Sequence, residues 1–203
     1  MKRRKPARQS SRKKTQRTSR PHETWNGTLL EMLPEEEFGV EELDLYNTHA
    51  RVERMWAEIL GGYRERFKFT LFPNSSGDQS QLIVVRDIDF VSTCAHHLLP
   101  FRGKAHVGYL PDGVICGLSK IPRTVTMFAR RLQTQERLGT QIADFLEEKL
   151  RPKAVLVSLT AEHLCMSVRG AKAQHASTVT TVLRGLATSS DSLKHEFLNT
   201  LKL

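Results

Sequence analysis

Three residues of this chain have the types and spacing for metal chemistry. Cys94 and His97 lie in Ser92-Thr93-Cys94-Ala95-His96-His97, and Cys165 follows His97 by 68 positions in His163-Leu164-Cys165. A Cys-x-x-His pair plus one remote cysteine offers three soft to borderline ligands. That is one fewer than a closed structural zinc site, and it matches a catalytic zinc whose fourth position is open to water. Such a water ionises near neutral pH and becomes a nucleophile. His96 and His163 stand beside the set as groups that can move protons in the physiological pH range.

Holding these side chains together requires a domain with a core, and 203 residues allow one. No apolar run approaches the roughly 18 residues of a membrane span, and no apolar segment follows the basic N-terminus as a secretory signal would require. The cysteines (94, 116, 165) are odd in number and form no disulfide framework, so a reducing, cytoplasmic location is expected. Residues 1–20 carry ten Lys/Arg and no acid, which leaves the rest of the chain close to neutral. With no Leu, Ile, Val or Phe, this segment cannot bury a face. Residues 1–23 are expected to be a disordered basic tail, which could engage nucleic acid or an acidic partner but, as such charge runs more often are, reads first as a solvated extension.

The remaining elements follow from periodicity. Residues 24–63 read as a linker and an N-terminal helical region. Its helix runs from Leu43 to Tyr63, is capped near Asn47 or Thr48, and is ended by Gly61-Gly62. Within 64–203, a loop covers Asn74–Asp78. Strands are expected over Leu82–Val91 and Lys104–Leu110, with a turn at Pro111-Asp112-Gly113 leading into Val114–Gly117. Helical periodicity covers Ser119–Arg131 and Gln135–Leu150. Strands return at Ala154–Thr160 and Ser177–Leu183, and a closing helix, Asp191–Leu201, is capped by Ser189, Ser190 or Asp191. The pattern predicts an α+β fold with a mostly antiparallel sheet.

Residues 82–201 resemble GTP cyclohydrolase I. The resemblance rests on Cys94-x-His96-His97, His106-Val107-Gly108-Tyr109-Leu110-Pro111 and Gly117-Leu118-Ser119-Lys120. It continues in Arg130-Arg131-Leu132-Gln133-x-Gln135-Glu136-Arg137-Leu138 and His163-x-Cys165-Met166-x-x-Arg169-Gly170, in the family's order. A fainter similarity reaches back to Thr48-x-x-Arg51-Val52. The resemblance implies a tunnelling fold (T-fold), a four-stranded antiparallel sheet with two helices on one face, preceded here by the N-terminal helix. Such subunits join into a barrel, as a homodecamer of two pentamers with active sites at subunit interfaces. It also implies the reaction: opening of the guanine imidazole ring of GTP at C8, loss of formate, and formation of 7,8-dihydroneopterin triphosphate.

By the same resemblance, Cys94, His97 and Cys165 bind Zn2+, and His96 and His163 transfer protons. Glu136 accepts from the N1–H and 2-amino group of guanine, a donor pair that adenine lacks. Gln135 lies beside the same edge. Ser119 contacts the ribose, and its hydroxyl can also begin the helix. Lys120, Arg123 and Arg169 clamp the triphosphate. Cys116 and His106 read as structural residues, and Arg130, Arg131 and Arg137 as salt-bridge partners.

The chain departs from the family in two places. Ala95 stands where the family usually has Glu, which removes a carboxylate beside His96 while leaving the metal ligands intact. The N-terminal region lacks the family's usual Arg-Glu-Gly-Leu segment. Two competing readings follow: a divergent T-fold zinc enzyme with a partial or altered purine or pterin reaction, and a non-catalytic binding protein.

Overall fold

The computed structural model describes residues 47–75 and 81–202. The basic tail, the linker up to residue 46 and most of the loop expected at 74–78 lie outside these residues. Contacts divide the chain into two units, Met1–Glu53 and Arg54–Leu203. The described part of the first is the opening of helix α1 (Thr48–Ile59), where His49 and Glu53 pair at 3.3 Å across one turn.

The second unit is built on a five-stranded sheet. Its strands are β2 (Ile83–Cys94), β3 (Pro100–Leu110), β5 (Leu132–Gln133), β6 (Ala154–His163) and β7 (Thr178–Gly185), in the spatial order β5-β2-β3-β6-β7. The four long strands are antiparallel neighbours, as their alternating β-branched patterns require. Two short elements carried too little pattern to be read from sequence. One is β5, which runs parallel to β2 and pairs only with Thr93 and Cys94. The other is the pairing of β1 (Leu71–Pro73) with β4 (Val114–Cys116).

Helices α2 (Lys120–Ala129) and α3 (Gln135–Leu150) pack on the sheet, α2 against β2 and α3 against β6 and β7. Their buried residues recur at helical spacing: Ile121, Val125 and Phe128 in α2, and Leu138, Ile142, Leu146 and Leu150 in α3. They meet Phe101, Ala105, Val107, Val155, Val157 and Leu159, which alternate along β3 and β6. The opposite face is covered near Leu110, Ala154 and Leu156 by Phe197 of α5 (Asp191–Thr200). Elsewhere that face is charged, with cross-strand ion pairs Lys104–Asp89 at 2.7 Å and Arg102–Glu162 at 3.6 Å. Among the described residues no helix is long and apolar enough to cross a membrane.

Local chemistry sets the boundaries. Thr134 caps α3 by accepting from Arg137 N, and Ser190 caps α5 by accepting from Leu193 N. Ser119 does not cap α2, contrary to the sequence-based expectation. It is already helical (φ −63°, ψ −16°) and its side chain makes no cap bond. Lys120 N and Ile121 N instead donate to the carbonyls of Gly117 and Leu118 in a tighter first turn. Gly61-Gly62 does end the α1 segment, for a packing reason. Gly62 N donates to Arg130 O, and a Cβ on Gly62 would stand 2.1 Å from Met127 O. In β2 the register shifts between Val85 and Ile88. The amide of Asp87 (φ +59°) is satisfied there by His106 Nδ1 at 3.2 Å. This holds His106 in a structural role, and burial pushes its imidazole below the ordinary histidine range.

The tightest approach lies between the two central strands, where a Cβ on Gly103 would come within 1.9 Å of Thr160 O. Gly103→Ala is therefore expected to lower stability by about 3 kcal/mol. At Gly117 a Cβ meets nothing nearer than 3.6 Å, so Gly117→Ala is expected to change stability by less than about 1 kcal/mol. Denaturant midpoints of the two variants at a common m-value check this contrast.

Candidate metal centre

The site is assembled where three strands end together. In register, Ser92 of β2 faces Phe101 of β3, and Phe101 faces His163 of β6. Cys94 is thus the last residue of β2, and Cys165 sits two residues beyond Phe101's partner. Cys165 is carried by the one-turn helix α4 (Leu164–Ser167), which four residues of sequence could not announce. Cys94 Sγ, the imidazole of His97 and Cys165 Sγ each offer a ligand atom, and these atoms lie within 4.8 Å of one another.

The backbone fixes the loop that bears the histidines. Cys94 N donates to Leu99 O at 2.8 Å, Leu98 N returns a bond to Cys94 O at 2.9 Å, and Ala95 N donates to Gln133 O at 2.9 Å. Leu98 takes a left-handed φ of +56° to close this turn. The α2 end is anchored too: Ser92 Oγ donates to Ala129 O at 2.6 Å. β5, the short parallel strand, thus supplies through Gln133 the acceptor that holds Ala95.

Cys94 is buried, Cys165 half-buried and His97 exposed. Burial pushes the Cys165 thiol above its ordinary value, the adjacent Cys94 adds to that push, and Arg169 opposes it. Two adjacent cysteine sulfurs and an imidazole suit a divalent cation, whose charge would favour the thiolate form that binds it. A tetrahedral zinc with bonds of about 2.0–2.3 Å needs ligands roughly 3.5 Å apart, so small side-chain movements close this set.

Several of the residues singled out in the sequence surround this centre. His96 lies beside Cys94, its Nδ1 3.9 Å from the sulfur. His163 stacks on Phe101 with ring centroids 4.6 Å apart and planes within 1°. Burial lowers the pKa of His163, while the carboxylate of Glu136, in the first turn of α3, acts in the opposite direction. Gln135, the first residue of α3, reaches His163 through its side chain. Arg169 is close enough to influence Cys165, and Gly170 after it turns the chain at φ +60°.

Ser119, Lys120 and Arg123 are not brought to this cluster. They lie at the start of α2, and Lys120 is close enough to Cys116 to pull back in part a thiol that burial pushes up. Cys116 itself is core, bonded through its amide to Tyr109 Oη. Ala129, the last residue of α2, meets Ser92, so about 15 Å of helix lies between that contact and Ser119, and about 9 Å between it and Arg123. Arg130 is occupied by Glu65 and by the carbonyl of Glu58. Arg131 lies over Phe128 and Tyr63 and donates to Gly62 O. Phe101 had no signal as a site residue, because it precedes the strand expected at Lys104–Leu110 and carries no polar group.

The sequence model of the GTP cyclohydrolase I family matches residues 27–202. Among similar curated proteins, the GTP cyclohydrolase 1 of Sulfurihydrogenibium sp. (strain YO3AOP1) is 48% identical over 155 residues, covering 76% of this chain and 81% of that one. That of Aquifex aeolicus (strain VF5) is 48% identical over 158 residues, 78% and 84% of the two chains. That of Chlorobium phaeovibrioides (strain DSM 265 / 1930) is 44% identical over 179 residues, 86% and 78%.

If the three-residue set is the metal centre, Cys94→Ser and Cys165→Ser should each lower bound zinc at least tenfold relative to the wild-type chain, and His96→Ala should retain it. Zinc uptake should tighten as pH rises, because the raised Cys165 thiol must lose its proton on binding. Metal content by elemental analysis after dialysis across a pH series reads both effects. Full zinc retention in Cys165→Ser would remove Cys165 from the set.

Proposed function

Because the chain belongs to the GTP cyclohydrolase I family and is an enzyme of that family, we propose that it opens the guanine imidazole ring of GTP at C8. Water is consumed, formate is released, and the remainder is rearranged and reclosed as 7,8-dihydroneopterin triphosphate. The observation that carries this reading is the convergence of Cys94, His97 and Cys165 within 4.8 Å, with His96 and His163 beside them. Zinc held by these residues supplies a Lewis acid that makes water nucleophilic near neutral pH.

The chain's own groups account for the rest. Ring opening needs a proton at N7 of the base and later one at the leaving amine, and His96 and His163 are the imidazoles beside the metal ligands that can deliver them. The Glu136 carboxylate, exposed on the first turn of α3, is suited to accept from N1–H and the 2-amino group together and so to select guanine. Arg169, close to Cys165, is suited to the triphosphate.

Ser119 and Lys120 lie about a helix length, and Arg123 about 9 Å, along α2 from the Ala129–Ser92 contact of their own chain. We assign them to the site of a neighbouring copy, where they meet ribose and triphosphate. This implies a homo-oligomer with interfacial sites. Its architecture is the T-fold barrel, closed edge to edge into a decamer of two pentamers. The four antiparallel long strands, with α2 and α3 packed on the sheet and β7 at its edge, support that assembly. A cytoplasmic location accords with the free cysteines.

The zinc-loaded full-length chain given GTP is expected to yield formate and, after oxidation, a fluorescent pterin in equal amounts. Glu136→Ala should raise KM for GTP about tenfold or more. Absence of both products would overturn the proposed reaction, and formate without pterin would show that it stops after ring opening. Ala95→Glu, which supplies the family's usual carboxylate, tests whether that position sets the rate. Unchanged turnover and substrate choice would remove it from consideration.

A further inference from the structure

The carboxamide of Gln135 is built into the protein interior. The residue is 1% exposed. Its Nε2 lies 3.0 Å from Leu159 O, 2.9 Å from Thr178 O and 3.2 Å from Thr180 Oγ1, while His163 Nε2 lies 2.8 Å from its Oε1. Two of the atoms around Nε2 are backbone carbonyls, which can only accept. Turning the amide over would point Oε1 at both of them from hydrogen-bond distance. The amide therefore has one satisfiable orientation, with its nitrogen donating to β6 and β7 and its oxygen facing His163.

An oxygen that can only accept requires a donor opposite it, so His163 Nε2 carries a hydrogen. The ring plane is fixed independently. Phe101 is fully buried, stands directly across the β3–β6 ladder from His163, and stacks on its imidazole at 4.6 Å with planes 1° apart. In the neutral ring the free lone pair is then on Nδ1, for which no described residue supplies a hydrogen bond.

We propose that Gln135 is a positioning residue which, with Phe101, locks His163 in one ring orientation and in the Nε2–H tautomer, leaving Nδ1 as the atom that exchanges protons with substrate. The inference rests on the reading of His163 as a proton-transfer group. It gives Gln135 a task different from the base contact implied by resemblance: both amide N–H groups and the oxygen are engaged within the protein, which leaves the guanine edge to Glu136. A histidine held in one tautomer accepts a proton, and returns it, at one fixed ring nitrogen, whereas a free ring divides its population between two.

The test uses zinc-loaded full-length protein containing 15N-labelled histidine. Magic-angle-spinning spectra are recorded at a pH where His163 is neutral, with its signals assigned by their loss in His163→Asn. The expected spectrum shows protonated Nε2 and unprotonated Nδ1. In Gln135→Met, close in length but without an acceptor, the expected result is a mixed or Nδ1–H tautomer. With it, kcat should fall about tenfold to a hundredfold and KM for GTP stay within about threefold.

Protonated Nδ1 in the wild type overturns the proposal, as does an unchanged tautomer in Gln135→Met. A raised KM at constant kcat also overturns it and returns Gln135 to substrate binding. Should Gln135→Met fail to fold, the wild-type spectrum still decides. A wild-type protein with the Nε2–H tautomer that yields neither formate nor pterin separates the two readings, upholding the positioning and rejecting the reaction.

Discussion

The register of three antiparallel strands is the constraint on which this molecule depends. Cys94 and Cys165 are 71 positions apart in the chain, and no local preference brings them together. The pairing of Ser92 with Phe101 and of Phe101 with His163 does so, ending β2 and β6 side by side. A slip of one residue in either ladder would turn Phe101, Ala105 and Val107 away from α2 and α3. It would also move one thiol by a strand residue, about 3.3 Å, relative to the other. The same hydrophobic alternation that seals the core thus sets the separation of the ligands.

A second constraint is the direction of α2. Its C-terminal end is tied to β2 through Ala129 and Ser92, two residues from Cys94, and its N-terminal half holds Ser119, Lys120 and Arg123, with Lys120 near Cys116. The metal ligands and these cations therefore belong to opposite ends of one packed element. Folding a single chain more tightly cannot shorten that distance, since the helix between them is rigid and its apolar face is committed to the core. Association of copies can bring the two groups together without straining either, and the edge position of β7 offers backbone groups through which copies could join.

Much of this was legible in the sequence, because long-range order here is written in short-period patterns. The four long strands, the two packed helices and the closing helix follow from alternation and helical spacing, and the three candidate ligands, which the fold brings within 4.8 Å of one another, from residue type. What escaped was set by contacts between distant segments. β5 is two residues long and is defined only by its contact with the end of β2, where Gln133 O accepts from Ala95 N. The helix bearing Cys165 is a single turn. Ser119 has the composition of a cap, yet the carbonyls of Gly117 and Leu118 satisfy the first amides of α2 before its hydroxyl is needed. Gln135 reads by resemblance as a neighbour of the guanine edge, and Phe101 falls outside the strand expected at Lys104–Leu110. Their relation to His163 exists only across the β3–β6 ladder and the α3–β6 contact.

The departure at Ala95 can be placed in the same physical terms. The loop that presents His96 and His97 is held by main-chain bonds: Ala95 N to Gln133 O, Cys94 N to Leu99 O and Leu98 N to Cys94 O. None of these uses the side chain at 95, which is exposed. A carboxylate there would add charge without being needed to shape the loop, and its absence leaves the ligand geometry untouched. The electrostatic consequence falls on His96, which has a cysteine sulfur 3.9 Å away. His163 retains the influence of Glu136 and the fixed amide of Gln135. The two histidines are therefore unequal. One is braced from the interior by an amide and an aromatic ring, and the other sits on a main-chain-anchored loop where the family's carboxylate is missing. An altered rate at this centre would arise first from the step that depends on His96.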